Sequence, residues 1–278
     1  MIGSFLLLVL ILSAMGRWEV IALAAWLSCG AAALTRHGER AAVTSTLGFR
    51  RPNAIQAEAL EAVWATALGR AGIANTEAEL YVHRSREQNA YAAGKRSVAV
   101  TSGLLQQFTA RRLSEEQMVG ILLHELGHHA DGATTVALQA AWFALPWKIA
   151  SRLVIGLGLV AVGRTKSTRT LVVVVLAGVA VSVVQAVQQA HWIAALALGA
   201  VSLCAVVCPI ADAAGGRRSE YAADQYARAL GHGPQLASAL NILADERRQP
   251  ASIVARTLSR HPSTTSRIAA LDGARGPI

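Results

Sequence analysis

The chain has 278 residues and a formal net charge of +9; 53% of the residues are hydrophobic and 15% are charged. This balance is too apolar for an ordinary soluble domain and favours a protein embedded in a membrane. The positive charges flank the apolar segments, and no basic helix or aromatic-interleaved basic patch is present, so the charge indicates membrane topology rather than nucleic-acid binding.

The first 34 residues contain two apolar runs, 2–14 and 20–34, which are separated by a short polar interruption. Each run is shorter than the roughly 20 residues of a comfortable membrane span. A cleaved signal peptide is the competing interpretation, but it would need a positive charge ahead of the first run. We therefore predict an N-terminal transmembrane hairpin over residues 1–34, with both ends on the inner side.

Residues 35–135 have the composition of a soluble α+β part. Asn53 is a suitable N-cap for a helix that runs to about Leu68, because apolar residues follow it at helical spacing. Residues 79–83 (ELYVH) and 97–101 (SVAVT) are typical of short strands. A small β-sheet among helices is the expected result.

A well-marked helix begins after Leu113. Ser114 is the expected N-cap, Gln117 can complete a capping box, and Leu113 can pack against Met118. Apolar residues then occupy more than one face of the helix. This pattern predicts a helix that is buried in the domain rather than one that lies on its surface.

His124, Glu125 and His128 form an HExxH pattern on this helix. Residues four apart differ by about 40° around a helix axis, so both imidazoles point the same way and can bind one zinc ion. Glu125 is placed to accept the proton of an attacking water and pass it to the leaving amine. The pattern therefore predicts a catalytic Zn²⁺ site, one per subunit.

Residues 136–211 form an apolar insertion with three stretches: 136–163, 171–187 and 192–211. Basic residues interrupt the first stretch and separate it from the second. The charge pattern favours an interfacial or partly inserted first stretch and a transmembrane pair for the other two. Insertion of the first stretch is the alternative.

The C-terminal part, residues 212–278, is soluble again and offers a candidate for the third ligand that catalytic zinc requires. Glu220 and Asp224 are one helical turn apart, on a helix predicted over residues 219–230 that closes at Gly231. Asp224 could then hold a ligand histidine by its second ring nitrogen. Two acids at this spacing are also typical of a solvated helix face.

Four segments together resemble the HtpX-type membrane zinc metallopeptidases, which are related to the CAAX prenyl endopeptidases. The segments are residues 89–94 (NAYAAG), the zinc helix 113–129, residues 219–224 (SEYAAD), and the pair formed by 261–263 (HPS) and 267–268 (RI). The resemblance implies a mostly helical α+β fold, with a zincin-type (gluzincin) domain combined with multi-pass transmembrane helices.

The resemblance also assigns residues. It implies that Glu220 is the third zinc ligand, that Asp224 supports a ligand histidine, and that Asn89 and Ala90 lie on an edge strand that pairs with substrate backbone. The implied C-terminal residues are His261 and Arg267, which would lie near the cleft, where one of them could stabilise the oxyanion. His261 is equally compatible with a capping or surface position.

The proposed metal ligands determine whether the number of membrane crossings between them is even or odd. Glu220 must meet His124, so the insertion must cross the membrane an even number of times. Positive-inside logic then predicts a multi-pass protein of the bacterial plasma membrane with the active site in the cytoplasm. The expected partners are polypeptide substrates, mainly membrane or misfolded proteins, and the lipid bilayer; the sequence does not indicate an oligomeric state.

The leading hypothesis is a metalloendopeptidase of envelope protein quality control. One alternative is a signal-transducing metalloprotease of the antirepressor type, which would need an extracytoplasmic sensor domain. The other is a non-catalytic membrane scaffold with a structural zinc, which would have no need of Glu125.

Overall fold

The structure is a computed structural model that describes residues 19–32, 34–143, 168–244 and 261–273. It divides into two compact units, one formed by residues 1–24 and 141–212 and the other by residues 25–140 and 213–278. All of the candidate site residues belong to the second unit. Most of the predicted N-terminal hairpin and most of the first apolar stretch lie outside the described residues.

The elements up to the zinc-helix region are α1 (Glu19–Ala32), α2 (Arg36–Thr46), β1 (Phe49–Arg50), α3 (Ala54–Ala71), β2 (Glu79–His83), β3 (Ala90–Ala93), β4 (Ser97–Thr101), α4 (Ser102–Thr109), α5 (Glu115–Ala130) and α6 (Ala133–Phe143). The later elements are α7 (Thr168–Gln188), α8 (Trp192–Ala229), α9 (Gly233–Ala244) and α10 (Thr264–Leu271). The predicted mostly helical α+β class with a small sheet is confirmed.

The sheet has the strand order β1-β2-β4-β3. β2 and β4 run parallel, and β1 and β3 pair with them antiparallel. The two strands that the sequence predicted have the predicted bounds. β1 was not predicted, because two residues carry no alternation that a pattern could reveal.

Each face of the sheet is covered by helix. Tyr81 and Ala99 face α2, where they pack with Val43. Val82 and Val98 belong to the larger core, which includes residues of α3, α5 and α9. β3 is an edge strand of this sheet and packs next to α5.

The predicted helix starts are confirmed. Asn53 caps α3 in a capping box with Gln56, and Ser114 caps α5 in a capping box with Gln117. Leu113 and Met118 are fully buried, and α5 is buried over most of its length. The strong start and the burial of α5 place the HExxH residues on a rigid, well-supported helix.

One helix differs from the prediction. The separate helix predicted from Ser219 is instead the last part of α8, which runs without interruption from Trp192 to Ala229. Gly215 and the change to a charged composition suggested a break there. A glycine costs a helix interior only about 1 kcal/mol, and burial of side chains such as Ala213 and Ala223 offsets that cost. The helix ends before Gly231, which has the expected left-handed conformation (φ 85°).

No single helix in the described part of the chain combines the length and hydropathy of a membrane span. Residues Val20–Ala32 and Arg36–Thr46 meet those requirements only as a pair, with a bend of 100° between them.

Candidate metal centre

His124 and His128 lie on one face of α5. Their ring centroids are 4.8 Å apart and the rings are nearly perpendicular, with an interplanar angle of 79°. His124 is buried, and His128 is partly buried. The four-residue spacing has therefore brought both imidazoles to the same place, as a helix requires.

Close packing of α5 against α8 brings Glu220 to these histidines. A side chain at Gly127 would place its Cβ only 2.9 Å from the Cα of Ala223, so the helices can approach this closely only with glycine at that position. Glu220 lies one turn before Ala223 on the same helix. The packing of two backbones thus determines where the carboxylate lies.

Glu220 and the two histidines form a group whose ligand atoms all lie within 4.8 Å of one another. Glu220 Oε2 is 3.5 Å from His124 Nε2, and Glu220 Oε1 is 3.8 Å from His128 Nε2. Two imidazole nitrogens and one carboxylate oxygen form a ligand set typical of catalytic zinc.

The contacts of the histidines fit a metal at this place. The Nδ1 atom of His124 lies 2.9 Å from Asp224 Oδ1, and the Nδ1 atom of His128 lies 3.1 Å from Ser219 Oγ. Both Nε2 atoms are therefore turned toward Glu220. Supporting a ligand imidazole through its other nitrogen is the usual arrangement around zinc.

The carboxylate of Glu220 is also suited to bind a metal ion. Oε2 is buried and has no hydrogen-bond donor among the described residues. Arg267 Nη1 lies 2.9 Å away, but the contact lacks hydrogen-bond geometry and is only an ion pair. A buried carboxylate oxygen without a donor beside two Nε2 atoms is a site where a metal ion fits.

Arg267, on α10, lies beneath the site and not at its opening. Its Nε and Nη2 atoms donate to the two oxygens of Asp224 at 2.8 and 2.6 Å. The residue is only 6% exposed. Such a bidentate pair fixes both the orientation and the charge of Asp224, which in turn contacts His124.

His261 lies at the exposed side of the site. Its Nδ1 atom is 2.8 Å from Glu220 Oε1, and its side chain is 69% exposed. It is therefore within reach of both the proposed ligand set and a molecule arriving from solvent.

Burial and neighbouring charged groups shift the pKa values of the three HExxH residues. Burial raises the pKa of Glu125 to about 7, and the charge of Glu220 adds to this effect. Burial, with the charge of His124, lowers the pKa of His128 to about 4. Burial and Arg267 lower the pKa of His124, but its contacts with the carboxylates of Asp224 and Glu220 outweigh them and raise it to about 9.

The pKa values of the two acidic residues on α8, Glu220 and Asp224, are lowered. Burial raises the pKa of Glu220, yet its contacts with His124 and His261 and the charge of Arg267 hold it well below its usual range. Burial raises the pKa of Asp224 as well, but its contacts with His124 and Arg267 lower it. Both groups are therefore carboxylates in the folded protein, as a metal ligand and its support must be.

Asn89 and Ala90 lie where the edge strand begins. Thr101 N donates to Asn89 O at 3.0 Å, so Asn89 faces β4. Hydrogen-bonded and non-hydrogen-bonded positions alternate along an antiparallel pair. The N–H and C=O groups of Ala90 and Ala92 therefore point away from β4, toward the free edge beside α5.

The structure thus brings together His124, Glu125, His128, Glu220, Asp224, His261 and Arg267, and it places Asn89 and Ala90 at the adjacent sheet edge. Ser219 is the supporting contact that sequence reasoning missed. Its only sequence signal is its position directly before Glu220.

The model of a family described as Peptidase family M48 matches residues 54–275. A solved structure, Ste24p of S. mikatae, matches with a TM-score of 0.52 and 16% identity, over 97% of this chain and 62% of that one. At this identity the match shows similarity of fold, and the present chain spans 62% of the length of that protein. No curated protein sequence matches the chain significantly.

Proposed function

Because the chain belongs to peptidase family M48, which confirms the family predicted from the four sequence segments, we propose that it is a membrane-bound zinc metalloendopeptidase acting on membrane or misfolded proteins. The observation that carries the proposal is the convergence of His124, His128 and Glu220 within 4.8 Å, with Glu125 buried on the same helix.

The proposed metal ligands are His124 Nε2, His128 Nε2 and a carboxylate oxygen of Glu220. A zinc ion held there would supply Lewis-acid chemistry, which polarises a peptide carbonyl and makes water more acidic. Asp224 and Ser219 orient the two imidazoles through their Nδ1 atoms. Arg267 holds Asp224 in place and balances its charge.

Glu125 is the proposed general base. Its carboxylate accepts a proton from the attacking water and then donates that proton to the nitrogen of the departing amine, so no net proton is gained or lost. A buried carboxyl group can serve in both steps, because burial raises its pKa toward neutral pH.

His261 is the proposed stabiliser of the oxyanion. Its exposed side chain and its 2.8 Å contact with Glu220 place it beside the reacting centre. An imidazole N–H there can donate to the oxygen that becomes negative as water attacks.

The substrate is proposed to bind as an added strand along β3. The N–H and C=O groups of Ala90 and Ala92, which point away from β4, can pair with an extended peptide, and Asn89 lies at the start of the same edge. Binding through main-chain groups selects for extended or unfolded segments rather than for one side chain. This mode suits a protease that removes misfolded proteins.

Exposed apolar side chains support attachment of the 136–211 segment to the membrane. On α7, Val181 and Val184 are about half exposed, and on α8 Leu196 is 74% and Leu203 64% exposed. We propose that the second and third stretches, 171–187 and 192–211, cross as a pair, so that the number of crossings is even and the metal centre lies in the cytoplasm. A reporter fused after Thr168 and found on the outer face would refute this topology.

The activity is tested with Glu125→Gln in the full chain, assayed on an unfolded polypeptide such as casein and on endogenous membrane proteins. We expect cleavage to fall by about a hundredfold or more, as loss of a general base does, while bound zinc is unchanged. Glu115→Gln, an exposed glutamate in the first turn of the same helix, is the matched control and should retain activity. Undiminished cleavage by Glu125→Gln would sink the mechanism, and a wild-type chain without zinc-dependent cleavage would sink the function.

A further inference from the structure

The turn between β3 and β4 is held by a buried carboxylate from a distant helix. Glu39, on α2, is 2% exposed. It accepts hydrogen bonds from Lys95 N at 3.0 Å, Arg96 N at 2.9 Å and Ser97 Oγ at 2.8 Å. A carboxylate with three donors of this kind is a strong, directional attachment.

The same turn is also tied to the zinc helix. Gly94 O lies 2.6 Å from Thr134 Oγ1, which donates to it, and 3.1 Å from His129 Nδ1. Because a carbonyl only accepts, His129 must carry its proton on Nδ1. His129 directly follows the proposed ligand His128, so one peptide bond separates the metal centre from this contact.

Gly94 allows the turn to contact Glu39 on one side and Thr134 and His129 on the other. It has φ 64°, and a Cβ at this position would overlap the carboxyl group of Glu39. Glycine here satisfies both the left-handed backbone and the close approach of Glu39. The turn is therefore built around the carboxylate.

From this arrangement we infer that Glu39 is a positioning residue for peptide cleavage: it sets the place of the β3 edge relative to the metal ligands. The inference rests on the proposed function, in which that edge binds the substrate. β3 has only four residues and pairs with β4 alone, so the attachment of the β3–β4 turn adds to this pairing and to the packing on α5 in fixing its position. A shift of about 1 Å in a bound substrate can cost a hundredfold in rate.

Glu39 differs in this respect from the other acidic residue at the interface of α2. The Glu79 carboxylate accepts hydrogen bonds from Arg36 and Arg40 of α2. Residue 79 contacts the β3–β4 turn through its main chain, whose N–H donates to Arg96 O at 2.6 Å. Glu79→Gln keeps that main-chain bond and the three contacts of Glu39, and it changes only the charge that faces α2. Glu79→Gln is therefore the matched control for Glu39→Gln.

The test compares Glu39→Gln and Glu79→Gln in the full zinc-loaded chain by hydrogen exchange and by steady-state cleavage of one peptide. An amide in place of the Glu39 carboxylate cannot accept from all three donors, so exchange in residues 89–97 should rise about tenfold, the effect of losing a hydrogen bond to a charged group. KM should rise several-fold at unchanged zinc content. Glu79→Gln should leave both quantities within about twofold of wild type, since it keeps the main-chain bond to Arg96 and all three contacts of Glu39.

Unchanged exchange of residues 89–97 in Glu39→Gln overturns the inference, and so does an equal rise of KM in both variants. If Glu39→Gln does not fold, Ser97→Ala, which removes one of the three donors, must show the same selective exchange. The exchange result does not depend on activity, so a chain that cleaves nothing refutes the proposed function while the effect of Glu39 on the turn is still measured.

Discussion

Arg267→Met tests whether the buried charges of the site form one network. Methionine keeps most of the aliphatic length of arginine but removes its charge and its contacts with Asp224, Glu220 and His124. Both carboxylates are almost fully buried and would be left without their guanidinium partner. Breaking a buried ion pair in this way costs about 3–5 kcal/mol. His124 stays 2.9 Å from Asp224 and offsets part of the loss, so we expect the lower end of that range.

The assay is thermal unfolding of the full chain, with zinc removed by a chelator. A loss of about 3 kcal/mol corresponds to a fall in Tm of roughly 6–12 °C for a chain of this size. Added zinc should reduce the difference, because the ion brings positive charge to Glu220. Arg228→Met is the matched control, because Arg228 lies on the same helix as Asp224 but is exposed, and its hydrogen bond to Ala270 O is a long one, 3.3 Å. The Tm of this variant should fall by no more than a few degrees. Equal shifts for the two variants in chelator would refute the network.

Two further predictions concern the packing of α5 against α8 and the ion pairs between Glu79 and α2. Gly127→Ala should cost about 1–3 kcal/mol by overpacking, and it should weaken zinc binding because the new methyl group pushes α8, with Glu220, away from α5; calorimetric zinc titration checks this. The hydrogen bond with Arg40, together with those of Tyr81 and Arg36 and against the effect of burial, lowers the pKa of Glu79 from 4.5 to about 2. Its contribution to stability is therefore fully present above pH 4.5 and is lost as the pH falls toward 2, so Glu79→Gln should flatten the acid limb of a stability–pH curve between those values. An acid limb identical to that of wild type would contradict the second prediction.

Features set by neighbouring residues could be predicted from the sequence. The capping boxes at Asn53 and Ser114 depend on contacts three residues apart, and the common face of His124 and His128 depends on the pitch of one helix. The bounds of β2 and β4 followed from runs of strand-forming residues between turn signals. In each case the cause lies within a few residues of the effect.

Features that depend on distant contacts could not be predicted in the same way. The buried pair of Arg267 and Asp224 joins residues 43 apart, and no local pattern distinguishes it from a surface arginine near the cleft. The continuity of α8 depends on packing of its last turns, which outweighs the glycines that suggested a break. Glu39 gave no signal at all, since its partners are main-chain N–H groups and a serine that lie 56 to 58 residues away.

The distance along the chain between the parts of the metal centre has a consequence for its biosynthesis. His128 and Ser219 are 91 residues apart, and His124 and Arg267 are 143 apart. A growing chain therefore displays the HExxH helix long before the ribosome has added the acids and the arginine that complete the site. During that interval the two histidines lack the carboxylate that we propose as the third metal ligand. The proposed metal site can therefore be complete only after the apolar segment has been made and the last helix has docked.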